Sequence, residues 1–121
     1  MSHVVTIATQ IKDPAAIAFA CKRLALPAPE FGKHELFAHT VAHGYAVQLP
    51  GWTFPVVYDV STGKAFYDNY GGRWGDAKHL DKFTQAYATE KALMEARRKG
   101  YRCTEQSLPD GSIRLAIAVN A

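Results

Sequence analysis

From Ser112 to Val119 the larger apolar residues fall on every second position. Ile113, Leu115, Ile117 and Val119 alternate with Ser112, Arg114, Ala116 and Ala118. A two-residue period sends successive side chains to opposite faces, so this stretch predicts a strand with one buried face. Residues 101–106 predict its hairpin partner, closed by the turn former Pro109-Asp110-Gly111. At the other end, residues 3–11 are rich in β-branched side chains and predict a first strand, with Val5, Ile7 and Ile11 on one face. Two further hairpins are expected between them. One pairs 35–41 with 45–49 around His43-Gly44, so that Thr40 faces Val47 and Ala38 faces Leu49 while Phe37, His39 and Gln48 look away. The other pairs 56–60 with 65–70 around Thr62-Gly63, so that Tyr58 faces Tyr67 and Val60 faces Ala65.

Two stretches change to a helical period. Asp13-Pro14 supplies an N-cap acceptor and a proline at the first helical position, and Ile17, Cys21 and Leu24 then form a stripe. Pro27 and Pro29 end that helix near Leu26. Asp76 caps a second, longer helix over about 78–99, with Leu80, Phe83, Tyr87 and Met94 as its stripe, helped by Ala86 and Leu93. Gly100 stops it. The order strand, helix, four strands, helix, two strands predicts an α+β fold: a mostly antiparallel sheet with both helices on one face, ferredoxin-like in style. Ile113, Leu115 and Ile117 are expected to pack under the second helix against Phe83 and Tyr87. The opposite sheet face is expected to lie open.

The 121 residues make one ordinary domain, and a 48% hydrophobic content excludes a disordered chain. No apolar run approaches the ~18–20 residues of a membrane span. The start, Met1-Ser2-His3-Val4-Val5, lacks the basic and long apolar regions of a signal peptide. Cys21 and Cys103 form no Cys-x-x-Cys motif, and Cys21 falls on a helix stripe as a small hydrophobe. Together these predict a cytoplasmic protein with no membrane partner.

The net charge is +3, and all of the excess lies after residue 60. Arg97, Arg98, Lys99 and Arg102 are the densest patch. They fit a nucleic-acid footprint or, more simply, the basic last turn of a helix. His34, His39 and His43 have side chains that ligate metals, but the expected hairpin sends 34 and 39 to opposite faces and supplies no fourth ligand. No metal or other cofactor is expected. No nucleophile-elbow motif is present. Gly71-Gly72-Arg73-Trp74-Gly75 lacks the Lys-Ser/Thr end of a phosphate loop, though it precedes a helix start whose N–H groups suit an anion. Asp59 and Asp68 fall on one face of adjacent strands beside Phe66, Tyr70, Arg73 and Trp74, the one place where acids, aromatics, a base and a glycine loop converge.

Three stretches carry a resemblance. They are Met1-Ser2-His3 with Thr9-Gln10-Ile11-Lys12-Asp13, the helical Phe83-Thr84-Gln85-Ala86-Tyr87-Ala88 with Glu95-Ala96-Arg97-Arg98-Lys99-Gly100-Tyr101, and Pro109-Asp110-Gly111-Ser112-Ile113-Arg114-Leu115. The chain resembles a family of small uncharacterised proteins, a domain of unknown function found in cyanobacteria, algal plastids, other bacteria and phages. The resemblance covers the two ends, about half of the chain. It implies a stable intracellular domain and assigns no catalytic residue. The reading is a non-enzymatic binding or adaptor module that engages a protein partner or a second copy of itself. The alternatives are a nucleic-acid binder using the basic helix end, and a small enzyme or ligand-binding protein using the surface from Asp59 to Trp74.

Overall fold

A computed structural model of the chain describes residues 4–36 and 40–119. Its elements run β1 (Val5–Ala8), α1 (Pro14–Arg23), β2 (Glu30–Glu35), β3 (Val41–Val47), β4 (Val56–Asp59), β5 (Lys64–Tyr67), α2 (Ala77–Arg98), β6 (Arg102–Ser107) and β7 (Ile113–Ala118). The architecture is α+β. Strands β1 to β5 form one sheet in the order β1-β5-β4-β3-β2, and β6 and β7 form a separate two-stranded sheet. Every pairing is antiparallel. Three strands separate β1 from β2, so α1 carries the chain from one edge of the large sheet to the other. A ferredoxin-like unit splits its βαβ strands differently, and that style is not reproduced here.

Both helices pack on one face of the large sheet. Ile17, Ala20 and Cys21 of α1 and Phe83, Ala86 and Tyr87 of α2 share a core with Val47, Val56, Tyr58 and Ala65. Phe83 stacks on Tyr58 with ring centroids 5.5 Å apart. The helix ends follow their local signals. The Asp13 carboxylate accepts from the N–H groups of Ala15 and Ala16, and the Asp76 carboxylate accepts from that of Lys78. Gly100 takes φ +74 and closes α2, with Tyr101 N–H donating to the Ala96 carbonyl at 2.8 Å. The Tyr87 hydroxyl accepts from the backbone N–H groups of Lys12 and Asp13, tying the β1–α1 connection to α2.

The opposite sheet face is less open than expected. Val57 and Ala42 are buried there beneath Leu36, with Val4, Ala46 and Phe66 packed around them.

Three sequence expectations are corrected. The first hairpin pairs Glu30–Glu35 with Val41–Val47, so His43-Gly44 lies inside β3 and is not a turn. Thr40 precedes β3 and does not face Val47, while Phe37, Ala38 and His39 lie outside the described residues. Gly44 sits in the strand because a Cβ there would lie 2.3 Å from the Tyr58 carbonyl oxygen. The second hairpin matches Tyr58 with Ala65 and Val57 with Phe66. That is a slip of two residues, which leaves every side chain on its expected face.

The third correction concerns β7. It does not lie under α2 against Phe83 and Tyr87, whose rings face α1 and the large sheet. The β6–β7 hairpin instead rests on another side of α2. Ile113 and Leu115 are only half-buried, and Ile117 is 48% exposed.

Polar contacts fix this hairpin in place. The Arg23 guanidinium donates to both carboxylate oxygens of Glu105 in β6, at 2.6 and 2.8 Å, and through Nε to Glu90 in α2 at 2.9 Å. Gln85 donates to the Gly111 carbonyl at 3.3 Å. The hydrogen bond from Arg23 holds the Glu105 carboxyl below its ordinary value of 4.5. A lowered folded-state value means this stabilisation is complete above pH 4.5 and is lost as pH falls through the lower value. Protection of β6–β7 amides from exchange is therefore expected to fall relative to α2 as pH drops below 4.5. Glu105→Gln is expected to weaken protection already at neutral pH and to remove the pH dependence. Equal pH profiles in the two proteins would show that the pair does not anchor the hairpin.

Candidate functional site

The strongest convergence of chemistry lies in the loop between β5 and α2. A 3-10 turn spans Tyr70–Gly72, flanked by Asn69 and Arg73. The Asn69 side chain donates to the Gly75 carbonyl at 3.1 Å, and Trp74 N–H donates to the Asn69 carbonyl at 2.9 Å. Thr53 N–H donates to the Trp74 carbonyl, which joins the loop to the chain before β4. Below it, the buried Trp52 indole donates to the Asp76 carbonyl at 3.1 Å and meets Tyr67 edge-on. Gly75 is required here by contact alone, because a Cβ would lie 2.4 Å from the Trp52 ring.

On this support Tyr70 lies flat against Trp74, with centroids 4.7 Å apart and planes 20° from parallel. The Arg73 guanidinium carbon sits 5.5 Å from the centre of the Tyr70 ring, within cation–π range. Phe54 also meets Trp74, with ring centroids 6.0 Å apart and planes tilted by 60°. Tyr70 and Trp74 are half-buried and Arg73 is exposed. Tyr70 takes φ +50, a left-handed conformation that disfavours side chains other than glycine. Asp68, only 1% exposed, holds that conformation: its carboxylate accepts from Tyr70 N–H at 3.0 Å.

The other expected site residues are dispersed. Phe66 packs in the small cluster with Leu36 and Val57 on the face away from the helices. Asp59 stands at the far end of β4, matched with Lys64. Four residues of strand, about 13 Å, separate that level from Asp68. The two-residue slip in register accounts for this, and the two carboxylates form no acid–base pair. The Asp59 carboxylate instead accepts from the hydroxyl and N–H of Ser61, and these bonds hold its pKa low. That makes it the cap of the β4–β5 turn.

Arg97 and Arg98 occupy the last turn of α2, Lys99 is its C-cap and Arg102 opens β6. All four are exposed, and Arg98 pairs with Glu95. This is the placement expected of cations that complement a helix C-terminus. His34 and His43 lie on neighbouring strands but on opposite faces. His34 bonds to the Glu30 carbonyl through Nε2, and His43 meets Phe31 edge-on. His39 lies outside the described residues. Among the described residues no three His, Cys, Asp or Glu side chains group as a metal site. Burial pushes the Cys21 thiol up to about 11, which keeps it protonated at neutral pH.

Sequence reasoning did not find a long groove of about 790 Å³ between β1 and α2. Ile7, Ile11, Tyr87, Ala88 and Ala92 supply its apolar walls, and Lys91 and Glu95 stand at one end. Alanines on the flank of a helix carry no signal of their own. Only the position of β1 at the sheet edge turns them into a wall. Among the described residues no helix is long and apolar enough to cross a membrane. No protein-family model, no curated protein and no solved structure matches the chain.

Proposed function

We propose that this chain is a non-enzymatic binding or adaptor module of the cytoplasm that engages a protein partner, or a second copy of itself, through Tyr70, Arg73 and Trp74. One observation carries the reading. Tyr, Arg and Trp are the three residue types most enriched at binding hot spots, and here they form one partly exposed stack on a braced loop. The left-handed Tyr70 adds to it, because strained backbone persists where surrounding contacts impose it and clusters at functional positions. The likeness of the two chain ends to a family of unknown function belongs to the same proposal and brings no catalytic residue with it.

Tyr70→Ala and Trp74→Ala are expected to weaken partner binding or self-association about 30-fold or more, since a hot-spot truncation costs ~2 kcal/mol or more. Both variants are expected to keep the parent far-UV spectrum. Sedimentation across concentration tests the self-association form, which a monomer at all concentrations would remove. Parent-like affinity in both variants for a partner recovered from the native host would remove the proposal itself.

A further inference from the structure

We infer that β1 is a docking edge for an extended peptide segment of another protein, added as a sixth strand in the groove between β1 and α2. The backbone makes the first case. Thr9 N–H donates to the Gly63 carbonyl at 2.6 Å, so Thr9 is a hydrogen-bonded position facing β5. Antiparallel pairing alternates, which makes Ile7 and Val5 the next such positions and turns the N–H and C=O groups of Thr6 and Ala8 outward. Ala8 lines the groove and Thr6 stands next to it along the same edge, at the spacing that a further strand uses.

The two edges of the sheet differ in how they are protected. The β2 edge carries Glu30, Lys33 and Glu35 and begins directly after Pro29. Charges and a flanking proline are the usual guards against strand addition. The β1 edge, Val-Thr-Ile-Ala, has neither a charge nor a proline.

Size selects the occupant. The groove follows the end of β1 and the bend after it, residues 7–11, at most about 16 Å of chain. Its footprint is far below the ~800 Å² per partner that a stable dimer buries. Its volume falls within the ~300–1,000 Å³ of sites that enclose a small ligand or short segment. A single strand of about five residues fits, and a second copy of the domain does not. Lys91 pairs with both Asp13 and Glu95, so the charges at the groove end are already matched. The segment therefore presents uncharged, apolar side chains at alternate positions toward Ile7, Tyr87, Ala88 and Ala92. Strand addition of this kind draws affinity from main-chain bonds and specificity from every second side chain.

The test pans a displayed library of random heptapeptides on the intact chain, then maps an enriched synthetic peptide by NMR and amide exchange. Enriched sequences are expected to be apolar at alternate positions, and saturating peptide is expected to slow exchange at Thr6 and Ala8 at least tenfold. N-methylation of the peptide's pairing amides is expected to weaken binding at least tenfold. Thr6→Pro deletes an outward donor while leaving the bonds of Val5 and Ile7 to β5. Ala88→Arg obstructs the wall from an exposed helix position. Each is expected to lower affinity at least tenfold with an unchanged melting temperature, whereas Trp74→Ala leaves it within twofold. This separates the groove from the Tyr70–Trp74 stack, since either can fail alone. Absence of enrichment, peptides that map elsewhere, or undiminished binding to both Thr6→Pro and Ala88→Arg would overturn the inference.

Discussion

Gly44→Ala is expected to cost about 3 kcal/mol or more, enough to unfold a domain of ordinary marginal stability at moderate temperature. Gly44 is buried in the middle of β3, and an added Cβ would lie 2.3 Å from the carbonyl oxygen of Tyr58 and 2.7 Å from its carbon. Both are backbone atoms of the neighbouring strand, so no side-chain rotation relieves the clash. The strands must separate or the β3–β4 register must break. The backbone adds to the cost, because φ is +156, beyond the range that L side chains ordinarily adopt. Urea unfolding monitored by tyrosine and tryptophan fluorescence checks this. A variant within 1 kcal/mol of the parent would mean that β3 and β4 do not approach as described. Gly32, whose added Cβ would meet nothing within 4 Å, serves as the control glycine in the same strand pair.

Phe83→Ala is expected to cost about 3–5 kcal/mol, the range for deleting a buried aromatic side chain. Phe83 is fully buried where α2 crosses the sheet, and its ring stacks on the equally buried Tyr58. Deletion leaves a cavity walled by both helices and by the central strand, and these cannot all collapse into it. The expected fall in Tm is roughly 10–20 °C. Leu115→Ala is the contrasting variant. A β7 strand packed beneath α2 would make it comparably damaging. A half-buried Leu115 on the peripheral hairpin makes it cost about 1 kcal/mol. Thermal melts of the two variants side by side discriminate these arrangements, and equal losses would return β7 to the core.

Local features of the sequence were enough to determine the two helices and most strands, because their signals act within a few residues. A carboxylate caps α1 from Asp13 and α2 from Asp76 by reaching N–H groups two or three positions on. Gly100 ends α2 through its own backbone freedom. The faces of the strands survived even where pairing slipped, since a two-residue shift in the β4–β5 hairpin conserves the alternation. Tyr70, Arg73 and Trp74 were legible as a candidate site because they are close in sequence around glycines that relax the chain.

What depends on residues distant in sequence was decided only by the tertiary structure. A glycine in a turn and a glycine beneath a neighbouring carbonyl read alike in one dimension. The requirement at Gly44 comes from Tyr58, and the one at Gly75 from Trp52. Phe54 joins the aromatic stack from the loop before β4 and gave no sign of it. Asp59 and Asp68 were separated by a register that the turn geometry set, with Gly63 N–H donating to the Asp59 carbonyl. The apolar alternation of β7 established that one face seeks cover, but not which surface supplies it. α2 has only one broad apolar side, and the five-stranded sheet with α1 occupies it. The last hairpin therefore took the flank of the helix, held by Arg23 and Glu105, eighty-two residues apart in sequence.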